Sequence, residues 1–277
     1  MSRIAARFAE LRARGERALV PFVTAGDPDL GTTEAFVHAL EEAGADVIEL
    51  GIPFSDPMAD GPTIQRASQR ALARGATLRR ILELVKRLRA RTEVPLVLMG
   101  YANPFYAMGA RGFAEAAAEA GVDGVIVPDL PPEEGEDLYG EAASAGVDGI
   151  LLAAPTTTDA RLRLLAERTR GFLYYVSVTG VTRARAELAA DLAQAVARVK
   201  ALTSTPVCVG FGVSTPAHVR EIACVADGVV VGSALVERIE AAARPEEAVD
   251  AVGRFVAELK AATRPAAVPG ARTRGRA

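Results

Sequence analysis

Short apolar runs alternate with longer amphipathic stretches from one end of the chain to the other. The runs cover residues 19–24, 46–50, 95–101, 124–127, 149–153, 172–176, 206–209 and 228–231. They read as nearly continuous Val, Ile and Leu, the pattern of parallel strands buried on both faces. Between them, stretches such as 32–43, 81–90 and 161–168 carry apolar residues at helical spacing. Eight strand-like runs separated by helices are what a closed barrel needs. The expected fold is therefore α/β, a single (β/α)8 TIM barrel occupying residues 1–262.

Three local patterns refine this picture. Residues 2–14 are basic and amphipathic, with Ile4, Phe8 and Leu11 at helical spacing; an extra N-terminal helix closing the bottom of the barrel is expected. The segments Glu42-Ala43-Gly44-Ala45-Asp46, Glu119-Ala120-Gly121-Val122-Asp123 and Ser144-Ala145-Gly146-Val147-Asp148 form a weak repeat. In each, glycine caps a helix and aspartate opens the next strand, so these acids belong to folding rather than chemistry. From residue 263 to 277 the chain is rich in Pro, Gly and Arg without periodicity, and a disordered tail is expected.

Composition narrows the function classes. Half of the residues are hydrophobic, 24% are charged and the net charge is −3. That balance offers no general attraction to nucleic acid or anionic membrane. The sequence lacks a signal-peptide run and a segment long enough to span a bilayer. The two cysteines, Cys208 and Cys224, form no CxxC pair, and a reducing cytoplasm is expected. Lys86, Lys200 and Lys260 fall in helical patterns rather than at strand ends, which argues against a Schiff-base aldolase. His38 and His218 also lie in helical patterns, and no acid–histidine cluster has metal-ligand spacing, so no metal site is expected.

Barrel active sites lie where strands end and βα loops begin. The second run places Glu49 in an apolar strand, on the face of Val47 and opposite to Ile48 and Leu50. A carboxyl buried there would titrate near neutral pH and suit acid–base catalysis, unless an arginine at the rim pairs with it. The loop that follows holds Asp60 just outside a helix that Pro62 should begin, with Gly61 as its cap. Asp60 is then a second acid–base candidate, its alternative being a helix cap. The seventh run leads into Gly210-Phe211-Gly212 and the eighth into Gly232-Ser233 before a helical pattern. Glycines let backbone N–H groups approach an anion, so these two ends are a candidate phosphate cradle; two tight turns are the alternative. Phe22, Met99, Tyr101, Ile126, Tyr174 and Phe211 stand at other strand ends and are candidates to line the space between.

These residues resemble one family, the alpha subunit of tryptophan synthase. The resemblance is carried by Pro21–Pro28, by Glu49-Leu50-Gly51-Ile52-Pro53-Phe54-Ser55-Asp56-Pro57 and by Ala59-Asp60-Gly61-Pro62-Thr63-Ile64-Gln65. Tyr101-Ala102-Asn103-Pro104, Val127-Pro128-Asp129-Leu130-Pro131, Ala154-Pro155-Thr156-Thr157 and Gly210-Phe211-Gly212 extend it. The resemblance implies retro-aldol cleavage of indole-3-glycerol phosphate, with Glu49 as the main acid–base group and Asp60 on the indole N–H. It implies no cofactor on this chain. It also implies a pyridoxal-phosphate-dependent beta subunit as partner in an alpha2beta2 heterotetramer, contacted through Asp56, Pro57, Asn103 and Pro131. Thr182 is implied to act in a lid over the substrate. One departure stands out: Arg183 occupies a position where the family pattern has glycine. Phosphoribosyl isomerases, the nearest alternative, would carry an aspartate at the end of the first strand, where this chain has Val23-Thr24. A barrel kept only to activate a beta subunit is a second alternative, against which intact Glu49 and Asp60 argue.

Overall fold

The structure is a computed structural model that describes residues 1–177, 185–210 and 212–264, without the side chains of 185–189. Thr182, Arg183, Phe211 and residues 265–277 lie outside the described residues. The chain runs α1 (Arg3–Arg14), β1 (Ala18–Thr24), α2 (Leu30–Glu42), β2 (Ile48–Gly51), α3 (Pro62–Ala73), α4 (Leu78–Leu88) and β3 (Leu96–Met99). It continues through α5 (Ala102–Met108), α6 (Ala110–Ala120), β4 (Gly124–Ile126), α7 (Glu136–Ser144), β5 (Asp148–Ile150), β6 (Leu152–Ala153) and α8 (Asp159–Arg168). The last third holds β7 (Leu173–Val176), α9 (Arg185–Lys200), β8 (Val207–Gly210), α10 (Pro216–Ala223), β9 (Gly228–Val231), α11 (Ser233–Ala241) and α12 (Pro245–Ala262).

Every strand pairing is parallel, in the order β5-β4-β3-β2-β1-β9-β8-β7-β6. The two ends of that order, β5 and β6, are consecutive in the chain, so the sheet closes on itself as an eight-stranded barrel. The expected fifth strand over 149–153 is thus two segments, each serving a different neighbour. The break falls at Leu151, whose N–H is taken by Thr169 Oγ1 at 3.1 Å instead of by a strand.

Strand alternation sorts the apolar residues into two cores. Leu19, Val23, Ile48, Leu50, Leu96 and Leu98 face outward into the layer packed under the helices. Val20, Val47, Val97, Ile126, Tyr174 and Cys208 point inward and fill the barrel together with Ile4, Phe8 and Leu11 of α1. The N-terminal helix therefore closes the bottom as expected. Its Phe8 ring lies 6.0 Å from that of Phe172.

Aspartates at the feet of the strands, two of them from the repeat, stitch the same end. Asp46 accepts from Leu19 N at 2.8 Å, Asp123 from Leu96 N at 2.8 Å and Asp227 from Val207 N at 2.9 Å. Each carboxylate at the foot of one strand thus holds the N–H that opens its neighbour. Each also has a cation: Lys260 at 2.6 Å from Asp46, Arg89 beside Asp123 and Lys200 at 2.9 Å from Asp227. Asp148 takes the Ser2 hydroxyl at 2.6 Å. The repeat glycines Gly44, Gly121 and Gly146 all have φ between 82° and 94°, the left-handed cap the pattern requires. Thr263, which the sequence pattern assigns to the tail, is fully buried and bonds Lys260 O at 2.9 Å. The same carbonyl also accepts the Thr263 backbone N–H at 3.1 Å, so Thr263 caps the last turn of α12.

Candidate active site

Glu49 faces inward from the second barrel strand. Val47 below it points into the barrel, whereas Ile48 and Leu50 point to the helices. The residue is 1% exposed and its Oε2 has no hydrogen-bond partner. No cation among the described residues offsets this, so the rim arginine considered as an alternative is absent there. Burial, with the charge of Asp60 adding to it, pushes the carboxyl up to about 8. The group is therefore protonated at neutral pH and close enough to its midpoint to move a proton either way.

Asp60 is placed by prolines. Gly51 ends β2, Pro53 and Pro57 prevent a regular continuation, and Pro62 begins α3 at its first helical position with Gly61 as the N-cap. Gly61 makes no side-chain cap and Asp60 lies one residue outside, so Asp60 is not a helix cap. Gln65 holds the Asp60 backbone carbonyl at 2.9 Å. The carboxyl is half-buried and hydrogen-bonds the Tyr101 hydroxyl; burial raises its pKa and the Tyr101 bond opposes the rise. Tyr101 in turn accepts from Ala59 N at 2.9 Å, and its own pKa is pushed up to about 12 by burial first. Phe54 stacks on its ring at 5.4 Å.

Phe22 bridges the mouth between Gly51 and Gly232. Its ring packs so closely on Gly51 that a Cβ there would meet it at 2.4 Å, and its other edge approaches Gly232. Gly232 caps α11 without a side-chain hydrogen bond, and Ser233 is the exposed first residue of that helix. The expected helix after the last strand is thus present, with its N-terminal N–H groups at the mouth. Gly212 has φ +70°, a conformation that favours glycine. Tyr174 lies in the interior, where burial and then the charge of Glu49 raise its pKa, and its hydroxyl abuts Gly210. Ile126 is fully buried in the interior cluster beneath.

The fold brings Glu49, Asp60, Phe22, Tyr101 and Tyr174 to one end of the barrel. Asp56 and Asn103 are exposed, and Pro57 and Pro131 half-exposed, on the loops of the same end. Phe54, Asp56, Pro57 and Met58 line an open groove there, with Met58 83% exposed. A smaller cavity beside Asp60 adds residues that strand-end inspection did not single out: Thr24, Gly51, Ile64 and Pro128. Thr24 ends its strand as visibly as Phe22 is placed within it, but a threonine in a strand gives no signal that its hydroxyl lacks a partner. Among the described residues there is no cluster of three or more His, Cys, Asp or Glu side chains arranged for a metal, and no helix long and apolar enough to cross a membrane.

A family model described as tryptophan synthase alpha chain matches residues 8–264. The tryptophan synthase alpha chain of Geobacter sp. (strain M21) is 58% identical over 260 residues, covering 94% of this chain and 97% of that one. That of Burkholderia pseudomallei (strain 1106a) is 53% identical over 272 residues, covering 98% of this chain and 100% of the relative. Among solved structures, tryptophan synthase subunit alpha from Legionella pneumophila superposes with a TM-score of 0.86 at 41% identity, covering 95% of this chain and 98% of the other. With the acids at the end of β2, the open helix terminus after β9 and these likenesses over nearly the full length, the chain belongs to the tryptophan synthase alpha chain family.

Proposed function

We propose that Glu49 and Asp60 together cleave indole-3-glycerol phosphate to indole and glyceraldehyde 3-phosphate, the carbon–carbon lyase reaction of the tryptophan synthase alpha chain. The observation that carries this reading is Glu49, a buried carboxyl with an unpartnered oxygen and a pKa near 8 at a barrel mouth. Protonated Glu49 adds its proton to the ring carbon that bears the side chain, which leaves positive charge on the ring nitrogen. The Asp60 carboxylate, oriented by Tyr101, stabilises that charge. Glu49, now ionised, takes the proton of the hydroxyl on the adjoining carbon. The hydroxyl becomes the aldehyde, the carbon–carbon bond breaks, and its electron pair restores the indole ring.

Gly212, Gly232 and Ser233 bind the phosphate with the positive end of the α11 dipole. Phe22, Tyr101, Ile126 and Tyr174 form the apolar walls for the ring; substrate-binding roles for Thr182, in a lid, and for Phe211 are carried by the family resemblance alone. Asp56, Pro57, Asn103 and Pro131 contact a beta subunit in an alpha2beta2 heterotetramer. That subunit carries pyridoxal phosphate, receives the indole and works in the cytoplasm with this chain. Supporting the partner is the exposed rim of Asp56, Asn103 and Met58 around an open groove.

The test is indole release from indole-3-glycerol phosphate by the purified chain, alone and with a co-purified beta subunit. Stoichiometric formation of indole and glyceraldehyde 3-phosphate is expected, together with retention of the beta subunit. A chain that neither releases indole nor does so in the complex would refute the catalytic reading.

A further inference from the structure

Four buried side-chain polar atoms among the described residues have no hydrogen-bond partner: Arg17 Nε, Thr24 Oγ1, His38 Nε2 and Glu49 Oε2. Arg17 precedes β1 at the bottom of the barrel and His38 sits within α2. Thr24 and Glu49 share the mouth. Thr24 is the last residue of β1, two positions after Phe22 on the inward face, in register with Gly51. It is 2% exposed and lines the cavity that Asp60, Met99 and Tyr101 also line. A valine would fill the same strand position without burying an unpaired hydroxyl, which destabilises a fold.

What this hydroxyl meets is decided by the groups around the cavity. Tyr101 receives the Ala59 N–H and is hydrogen-bonded to Asp60, so its oxygen is already engaged. The Asp60 carboxylate has room for about four hydrogen bonds and, among the described residues, has Tyr101 as its side-chain donor. It is also the group on which negative charge must persist while the ring nitrogen is cationic. We propose that Thr24 is a positioning residue for the cleavage, its hydroxyl donating a hydrogen bond to the Asp60 carboxylate when substrate fills the cavity. The inference rests on the role of Asp60 given above. It assigns to the end of β1 a second donor to that carboxylate.

The experiment compares Thr24→Val, which keeps the branched shape, with Thr24→Ser, which keeps the hydroxyl. Thr24→Val should lower kcat on the order of tenfold, the effect of one lost hydrogen bond to a charged group. KM should stay within about twofold, because the bond matters when charge develops rather than on binding. The melting temperature of the free protein should not fall, since no hydrogen bond is removed from it. Thr24→Ser should restore kcat to within about threefold of the parent. In single turnovers on an Asp60→Asn background, Thr24→Val should cost less than about twofold more, as expected of groups that act together. An unchanged kcat in Thr24→Val, equal losses in Val and Ser, a lowered melting temperature or a full multiplicative loss on Asp60→Asn would each overturn the proposal. Normal kcat in Asp60→Asn would instead defeat the reading of Asp60 itself, and an impaired Asp60→Asn beside a normal Thr24→Val would defeat Thr24 alone.

Discussion

The two ends of the barrel treat buried acids in opposite ways. At the bottom, Asp46, Asp123 and Asp227 each hold a strand N–H and a lysine or arginine. At the top, Glu49 keeps an unpartnered oxygen and Thr24 an unpartnered hydroxyl. A buried charge needs pairing, and an acid left without it gives up its charge instead. The bottom acids spend their hydrogen-bonding capacity on the fold. At the top, Glu49 leaves part of that capacity unused, and the fold carries the cost.

The contrast is broken or sharpened most strongly at Glu49. Glu49→Gln should keep the fold and lose turnover by several orders of magnitude; near-normal kcat in a folded variant would end its assignment as the proton carrier. The same variant reports on stability. Burial raises the Glu49 pKa from 4.5 to about 8, so the folded state binds the proton more tightly than the unfolded state. The parent should therefore lose stability as pH rises from 4.5 through about 8. Glu49→Gln lacks that loss, and its stability advantage should grow across this window in denaturant titrations. A constant difference with pH would show that Glu49 is ionised in the fold.

Asp60→Asn comes next. The amide still accepts a hydrogen bond but cannot balance a cationic ring, so kcat should fall far more than affinity for a non-reactive substrate analogue. Equal losses in both would assign Asp60 to ground-state binding. At the other end, Asp123→Ala removes a carboxylate from between Arg3, Arg89 and Leu96 N. It should destabilise by about 3 kcal/mol, since the buried Arg89 loses its partner. The kcat of the molecules that remain folded should stay normal, and a selective loss of kcat would show that the two ends are not separate. The smallest effect is expected from truncation after Arg264. Residues 265–277 carry neither apolar periodicity nor capping signals. Melting temperature and activity should be unchanged, and a clear fall in either would give the tail a docked role.

Several features were legible because they depend on spacing within one element. Two-residue alternation assigned Glu49 to the inside of the barrel, with Ile48 and Leu50 outside. Pro62 marked the start of α3, which left Asp60 outside the helix. Glycine followed by aspartate after a helix marked three strand starts. The helix after Gly232 and the docked N-terminal helix followed from periodicity in the same way.

What the sequence determined by itself is thus the order of elements, the face each side chain presents and the local signals that begin and end helices. These are set by neighbours a few residues apart. Only the closed barrel decided which groups meet. Lys260 reaches Asp46 across 214 positions of sequence, and Tyr101 comes to Ala59 and Asp60 from the next strand. The fifth strand divides because its two halves bond different neighbours on closure. Whether a buried polar atom is paired depends on every element around it, so the free oxygens of Glu49 and Thr24 are properties of the assembled mouth rather than of either strand.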